Sequence, residues 1–319
     1  MPSCKFADWL ARPDNRIAVV GASGWIGMAL VDQILTLAPD LSADRIMLFG
    51  SRLRQMTIRN RMLTVSPLTP DSTLGDGRWL ILHAGIIGAD RVDNGDLDEV
   101  RRCNDKMLDQ ILALSGTGAV DRLVFVSSGA AARPASGGPA KQAYADMKLA
   151  HEAAVSAWGL AREIPVLIPR VFNLGGPYIN HTSAYALGDF ILQYAREGRI
   201  GIGTGSRVSR DFVHVRDMAR GVLNMAVDQV ETGVPFDVSL GRTSELGDLA
   251  QAVSQAFGRV AIIDRPADAG GSPDEYRGHG ERFRNALERC GGAPAGLDQI
   301  VADTLAYLRE TGEVPPATD

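Results

Sequence analysis

Two side chains four residues apart, Tyr144 and Lys148 in Tyr-Ala-Asp-Met-Lys, form the most chemically suggestive pair in the chain. On a helix, positions four apart share a face, so the phenol and the ammonium would enter the same space. A tyrosine hydroxyl ordinarily titrates near pH ~10. A neighbouring ammonium favours the phenolate and brings the group towards use as a general acid or base. Taken alone the spacing is common on surface helices, and its meaning depends on its company.

That company begins with Gly21-Ala-Ser-Gly24-Trp-Ile-Gly27, which follows the apolar run Arg16–Val20 and precedes helical periodicity over Met28–Ala38. Strand, glycine turn and helix form the context of a dinucleotide site. Gly21 permits the tight turn, Gly24 lets a pyrophosphate approach the backbone, and Gly27 lets the helix sit close on the strand. Ser23, Trp25 and Ile26 belong to the same expected cofactor contact. The second strand, Arg45–Gly50, ends in Gly50-Ser51-Arg52 and then Arg54. An NAD site usually has a carboxylate here for the ribose 2′-hydroxyl. Ser51 and Arg52 would instead suit a 2′-phosphate, which favours NADP over NAD.

Further strand ends carry His83-Ala84-Gly85, expected along the cofactor's path, and Ser127-Ser128-Gly129. Between them a helix over about 97–114 bears Asn104. The repeated alternation of strand and helix implies an α/β fold, a Rossmann-type doubly wound parallel sheet with ligands at the carboxyl ends of its strands. A short strand pair is expected within Gln55–Leu68, around Arg59-Asn60. Lys141–Trp158 reads as the helix bearing Tyr144, Lys148 and Glu152, and Pro165–Pro169 as the next buried strand. The last third mixes short strands (235–239 and 259–263) with helices (about 245–257 and 297–308). The expected division places 1–173 plus about 212–240 in a cofactor domain. A smaller α/β substrate domain would take about 174–211 plus 241–319.

Composition limits the alternatives. The 319 residues are 45% apolar and 22% charged, as in ordinary globular proteins. A net charge of -5 without a basic run argues against a nucleic-acid surface. Cys4, Cys103 and Cys290 lack metal-ligand spacing and fit free thiols in a reducing compartment, and no metal is expected. There is no signal-peptide pattern and no apolar run of about 18 residues, so the expectation is a cytoplasmic protein that does not span a membrane.

In order and separation these residues resemble the extended short-chain dehydrogenase/reductase family of the NAD-dependent epimerase/dehydratase type, a branch acting largely on nucleotide-activated sugars. The resemblance runs from Arg16 to about Arg309. It rests on the three glycines, Asn104, the strand-end serines and Tyr144-x-x-x-Lys148-x-x-x-Glu152. Arg170-x-x-Asn173-x-x-Gly-Pro177 and Arg210-Asp-Phe-Val-His-Val-x-Asp217 complete it. It implies that Tyr144 exchanges the proton of the reacting oxygen, while Lys148 lowers its pKa and bonds the nicotinamide ribose. Ser128, in preference to Ser127, would hold that oxygen. Asn173 would touch the substrate and Arg210 would face its diphosphate. Ser127, Tyr178 and His181 are further substrate candidates, with Tyr185 and Arg277 in the variable pocket wall. The resemblance also implies a homodimer formed through the helices bearing Asn104 and Tyr144.

Departures narrow the reaction. Sugar 4,6-dehydratases of this family carry Asp-Glu directly after the serine or threonine, and here Gly129-Ala130 stand there. The glutamate of the decarboxylases and the cysteine of the 3,5-epimerase/reductases are likewise missing. The family's usual Tyr-Gly shortly after the serine is replaced by Ala132-Arg133. The expectation is an NADP-dependent reductase of a nucleotide-linked 4-keto-6-deoxy sugar or similar ketone. An NAD-dependent nucleotide-sugar 4-epimerase is the alternative, and a non-catalytic NADP-binding sensor or partner protein is a third reading.

Overall fold

The computed structural model describes residues 4–87, 96–132, 138–228, 232–268, 270–291 and 293–316. Its main sheet contains β1 (Asn15–Val20), β2 (Ile46–Gly50), β3 (Arg54–Ile58), β4 (Arg61–Pro67), β5 (Arg78–His83), β6 (Ala119–Phe125), β7 (Ser127–Ser128) and β8 (Val166–Val171). Four short strands follow, β9 (Asn173–Gly175), β10 (Arg199–Gly201), β11 (Val208–Arg210) and β12 (Phe212–His214). The chain then returns to the main sheet as β13 (Pro235–Val238) and ends with β14 (Ser244–Glu245), β15 (Ile262–Asp264) and β16 (Asp274–Tyr276).

The sheet order is β13-β8-β6-β5-β1-β2-β4-β3, with β7 beside β8. Neighbours are parallel except in the β3–β4 hairpin, whose turn residues Arg59 and Asn60 both have positive φ (49° and 59°). Such a turn matches the twist of its strands. From β1 the chain builds outwards first to one side and then, through β5, to the other. This reversal leaves a crevice at the carboxyl ends of β1 and β5, where an open α/β sheet binds ligands.

The α-helices are α1 (Lys5–Leu10), α2 (Trp25–Leu37), α3 (Leu97–Leu114), α4 (Pro139–Arg162), α5 (Ala186–Glu197), α6 (Val215–Val227), α7 (Leu246–Ala256), α8 (Glu281–Arg289) and α9 (Leu297–Glu310). Side chains on a strand alternate between faces, so Ile17 and Val19 join one core while Ala18 and Val20 join another. The first core contains Leu30 and Ile34 of α2 and Val222 of α6; the second contains Ile111 of α3 and Val155 of α4. A fully buried aliphatic side chain at these positions contributes roughly 1.5–3 kcal/mol.

Two boundaries differ usefully from the sequence expectation. Helix α2 begins at Trp25 rather than Met28, because Gly27 lies inside its first turn and masks the periodicity. Helix α4 continues four residues beyond Trp158, although Leu160 there is 83% exposed and stands outside the apolar stripe. The short strands pair separately, as β9–β12, β10–β15 and β14–β11–β16, while β13 lies beside β8 in the main sheet.

Candidate active site

Strand β1 delivers the chain into Gly21 at φ +81°, a conformation that glycine adopts without a steric penalty. A Cβ there would lie 2.4 Å from the amide nitrogen of Gly85, so the first turn and the end of β5 meet backbone to backbone. At Gly27 a Cβ would lie 2.1 Å from the Gly21 carbonyl oxygen, because α2 rests directly on the turn. Gly24 is different: its nearest obstacle is that same oxygen at 3.3 Å, and the rest of its surroundings are open. The first intrahelical bond runs from Met28 N to Gly24 O at 2.8 Å. The amides of Trp25, Ile26 and Gly27 therefore have no acceptor within the helix, and the positive end of α2 lies at the opening.

The end of β2 stands beside this turn. Ser23 Oγ is 3.7 Å from the position of a Cβ on Gly50, and Ser51 and Arg52, which follow, are exposed. These residues could hold a nicotinamide dinucleotide: the free amides at the start of α2 suit a pyrophosphate, and Gly50–Arg52 beside them could take an adenosine ribose. Trp25 is buried, and its indole N–H reaches out of the turn to the Pro177 carbonyl at 2.9 Å.

The other cofactor candidates contribute in different ways. Ala84 and Gly85 are half-buried, and the Gly85 amide donates to His83 Nδ1 at 3.3 Å. The His83 ring itself lies buried, edge-on to Phe125. Burial pushes its pKa down to about 3, with the charges of Lys148 and His151 adding to the effect, so the imidazole is neutral. Asn104 is also buried: its Oδ1 accepts from Ile87 N, and its Nδ2 donates to the carbonyls of Val100 and Ile87. His83 and Asn104 thus support the segment after β5 rather than offering side chains to the crevice.

On α4, Tyr144 is half-buried and Lys148 only 3% exposed. The Lys148 ammonium donates to the Val126 carbonyl at 2.9 Å and lies 4.9 Å from the centre of the Phe125 ring. Burial pulls its pKa down to about 8, against the opposing pull of the Glu152 carboxylate. The two strand-end serines face opposite ways, as neighbours on a strand must. Ser127 is buried and donates to Glu152 Oε1 at 2.5 Å, which turns it away from any substrate. Ser128 is half-buried; its Oγ accepts from Ala130 N at 3.2 Å, leaving its own O–H as a donor. Beyond it, a Cβ on Gly129 would lie 2.6 Å from both the Phe172 ring and the Tyr276 hydroxyl. The position that carries an acid in the dehydratases is filled from outside by two aromatic side chains.

The remaining substrate candidates scatter. Asn173, half-buried on β9, donates to the Asp211 carbonyl at 3.3 Å. Arg210 is paired with Asp274 Oδ2 at 2.6 Å and also donates to the carbonyls of Ser209 and Asp274, so its charge is already compensated within the chain. Tyr178 turns towards α2, where its hydroxyl faces the Asp32 carboxylate, and its ring lies edge-on to Tyr307. Burial and the Asp32 carboxylate push that phenol up to about 12, which makes it a poor acid. His181 is exposed on a turn with φ +51°, and Arg277 pairs with Glu275 at 3.2 Å on the surface. Arg133 lies outside the described residues. Tyr276 and Phe172 carry no sequence signal of a place at this site, because the approach of Tyr276 to Gly129 depends on parallel pairing of β11 with β16 across a long sequence separation. Among the described residues no cluster of three or more His, Cys, Asp or Glu side chains could hold a metal ion, and no helix is long and apolar enough to cross a membrane.

Comparison with known proteins agrees with this architecture. The sequence model of the NAD dependent epimerase/dehydratase family matches residues 17–241. A dTDP-L-rhamnose 4-epimerase of Burkholderia thailandensis is 30% identical over 117 residues, a match covering 36% of this chain and 32% of that protein. The matched segment is therefore about a third of that relative's length. Among solved structures, the UDP-N-acetylglucosamine 4-epimerase of Methanobrevibacter ruminantium M1, in complex with UDP-N-acetylmuramic acid, superposes with a TM-score of 0.72 at 18% identity. That alignment covers 94% of this chain and 100% of the other. RMD from Pseudomonas aeruginosa, complexed with NADPH, gives 0.70 at 21% identity over 93% and 99%. The Bordetella bronchiseptica enzyme WbmF, in complex with NAD+, gives 0.73 at 16% identity over 94% of each chain. At these identities the likeness concerns the fold.

Proposed function

Because the chain belongs to the NAD-dependent epimerase/dehydratase family, we propose that it is an NADP-dependent reductase of a nucleotide-linked 4-keto-6-deoxy sugar or a similar ketone. The observation that carries this reading is the end of β2, where Ser51 and Arg52 stand exposed beside the glycine turn and no carboxylate occupies Gly50–Arg54. Arg54 adds a second cation there, with an Nε that makes no hydrogen bond. Such a site suits a 2′-phosphate and thus a cofactor exchanged with the cellular NADPH pool at each turnover.

In this reading the bound nicotinamide supplies the hydride that reduces the carbonyl carbon. Tyr144 holds the proton that the developing alkoxide takes up, and the Lys148 ammonium beside it stabilises the phenolate left behind. Ser128 donates its O–H to the same oxygen. Gly129, crowded by Phe172 and Tyr276, leaves no room for the acid that elimination of water requires, so the reaction ends at reduction. The cofactor would lie on residues 1–173 plus about 212–240, and the substrate against the remainder. Two subunits would pair through α3 and α4.

A second reading, an NAD-dependent nucleotide-sugar 4-epimerase, is favoured by the similarity to the dTDP-L-rhamnose 4-epimerase and by the 4-epimerase fold neighbour. Identification of the nucleotide released by denaturing the purified protein, followed by fluorescence titration with NADPH and NADH, separates the two. A freely exchanging site preferring NADPH is expected. One stoichiometric, non-exchanging NAD per chain would replace the reductase with the epimerase.

A further inference from the structure

The carboxylate of Glu152, one helical turn beyond Lys148, is 4% exposed and accepts three hydrogen bonds. Ser127 Oγ donates to its Oε1 at 2.5 Å, Arg170 Nε to the same oxygen at 2.9 Å, and an Arg170 terminal nitrogen to Oε2 at 2.6 Å. Ser127 and Arg170 are register partners on β7 and β8, so a single carboxylate ties α4 to both strands at once. Lys148 makes the neighbouring tie, to the carbonyl of Val126, the residue before Ser127. The next residue on that strand is Ser128, and the next position up the helix face is Tyr144.

We propose that Glu152 is a positioning residue of the catalytic centre: clamped by Ser127 and Arg170, it fixes α4 against the strand end that carries Ser128 and holds Lys148 in its charged form. The inference rests on the reading of Tyr144 and Lys148 as the reacting pair, but it concerns a residue that would touch neither substrate nor cofactor. Buried charges without partners are costly, and a carboxylate satisfied from three directions is oriented as well as compensated. Arg170 completes the balance by cancelling part of the negative charge, with Asp237 of β13 on its other side. The charged and titratable groups that act on Lys148 are Glu152 and His151 on its own helix and His83 on β5, with Arg170 behind Glu152 and Tyr144 one helical turn away on the same face. Asp105 of α3 bonds His151 at 2.6 Å. Burial lowers both histidines below their ordinary range, so above neutrality Glu152 and Arg170 are the fixed charges that bias Lys148.

The test exploits the two ends of one ion pair. Cofactor affinity is measured by fluorescence titration with NADPH and with NADH from neutral to alkaline pH, in the full-length protein and in E152Q and R170M, with K148M as the reference that lacks the titrating group. In the unsubstituted protein affinity should fall as Lys148 loses its proton. E152Q removes the charge that favours the ammonium and should move that midpoint down by about one pH unit. R170M frees the carboxylate and should move it up. A role confined to packing would weaken both variants in the same direction, because both break the same bonds; midpoints moving together, or not at all, overturn the proposal. If E152Q does not fold, the upward shift in R170M still decides it. Opposite shifts seen with NADH alone would remove the NADP reading and leave the role of Glu152 standing. Tight NADPH binding with unshifted midpoints would do the reverse.

Discussion

The indole N–H of Trp25, in the first turn of α2, donates to the carbonyl of Pro177 at 2.9 Å across 152 positions of sequence. Trp25 also meets the Tyr185 ring edge-on, with centres 5.2 Å apart. The turn proposed to hold the pyrophosphate is thereby fastened to the segment that follows β9, where substrate would lie. Trp25→Phe keeps most of the packing and leaves the Pro177 carbonyl without its donor. Stability in urea is expected to fall by about 1–3 kcal/mol. Unchanged stability would mean that the bond contributes nothing net.

Gly24 and Gly27 should respond differently to the same added methyl. At Gly27 the new Cβ would collide with the Gly21 backbone, so Gly27→Ala should displace α2 and lower the melting temperature sharply. At Gly24 the methyl meets only the Gly21 carbonyl oxygen, at 3.3 Å, a contact relieved by a shift of a few tenths of an ångström, so Gly24→Ala should melt far closer to the unsubstituted protein than Gly27→Ala yet bind dinucleotide at least ~10-fold more weakly. Calorimetry and cofactor titration on both variants check the contrast. Full cofactor affinity in Gly24→Ala would place the pyrophosphate elsewhere.

Lys148 should cost the fold stability below its own pKa. Burial holds its pKa down to about 8 in the native state against an ordinary lysine value of 10.5, so between those values the unfolded chain binds more protons and stability rises with pH. Below pH 8 both states carry the charge and the cost of burying it is fully present. Lys148→Met is therefore expected to unfold at higher denaturant than the parent at pH 7, by at most about 3 kcal/mol. The advantage should shrink as the pH approaches 10. A Met variant that is less stable at every pH would contradict this.

Tyr144→Phe removes the proton donor and keeps the ring. Turnover of a keto-sugar substrate should drop at least ~100-fold while NADPH affinity stays within a few-fold. Steady-state kinetics paired with binding makes the comparison. Retention of most activity would move the proton transfer to another group, with Ser128 and Tyr276 the next to substitute.

Arg52→Asp restores a carboxylate where an NAD site usually has one. If Arg52 meets a 2′-phosphate, NADPH affinity should fall by roughly 10–100-fold, the scale of a charge-assisted hydrogen bond, and NADH affinity should hold or rise. Equal losses for both cofactors would show that Arg52 does not read the phosphate.

Much of this was legible before any folding was considered, because it is local. The turn Gly21–Gly27 between a buried strand and a helix, the hairpin turn at Arg59-Asn60 and the four-residue spacing of Tyr144, Lys148 and Glu152 each depend on neighbours within a few residues. Backbone sterics and helix periodicity make such features readable from residue order. Even the lack of an acid at Gly129 was plain in the sequence.

What only the tertiary structure decided involves partners far apart in the chain. Ser127 and Ser128 look alike in sequence, and the position of Glu152 on α4 is what draws one hydroxyl inwards. Tyr178 resembles a pocket residue in sequence, but the fold sets its hydroxyl facing Asp32 of α2, and Arg210 resembles a free cation, but β16 brings Asp274 beside it. Tyr276 carried no local signal at all, yet its hydroxyl fills the space beside Gly129. Strand pairing brings these groups together, and a charge or hydroxyl binds whichever partner that packing presents. Local sequence specifies the groups, and long-range packing selects the ones left for chemistry.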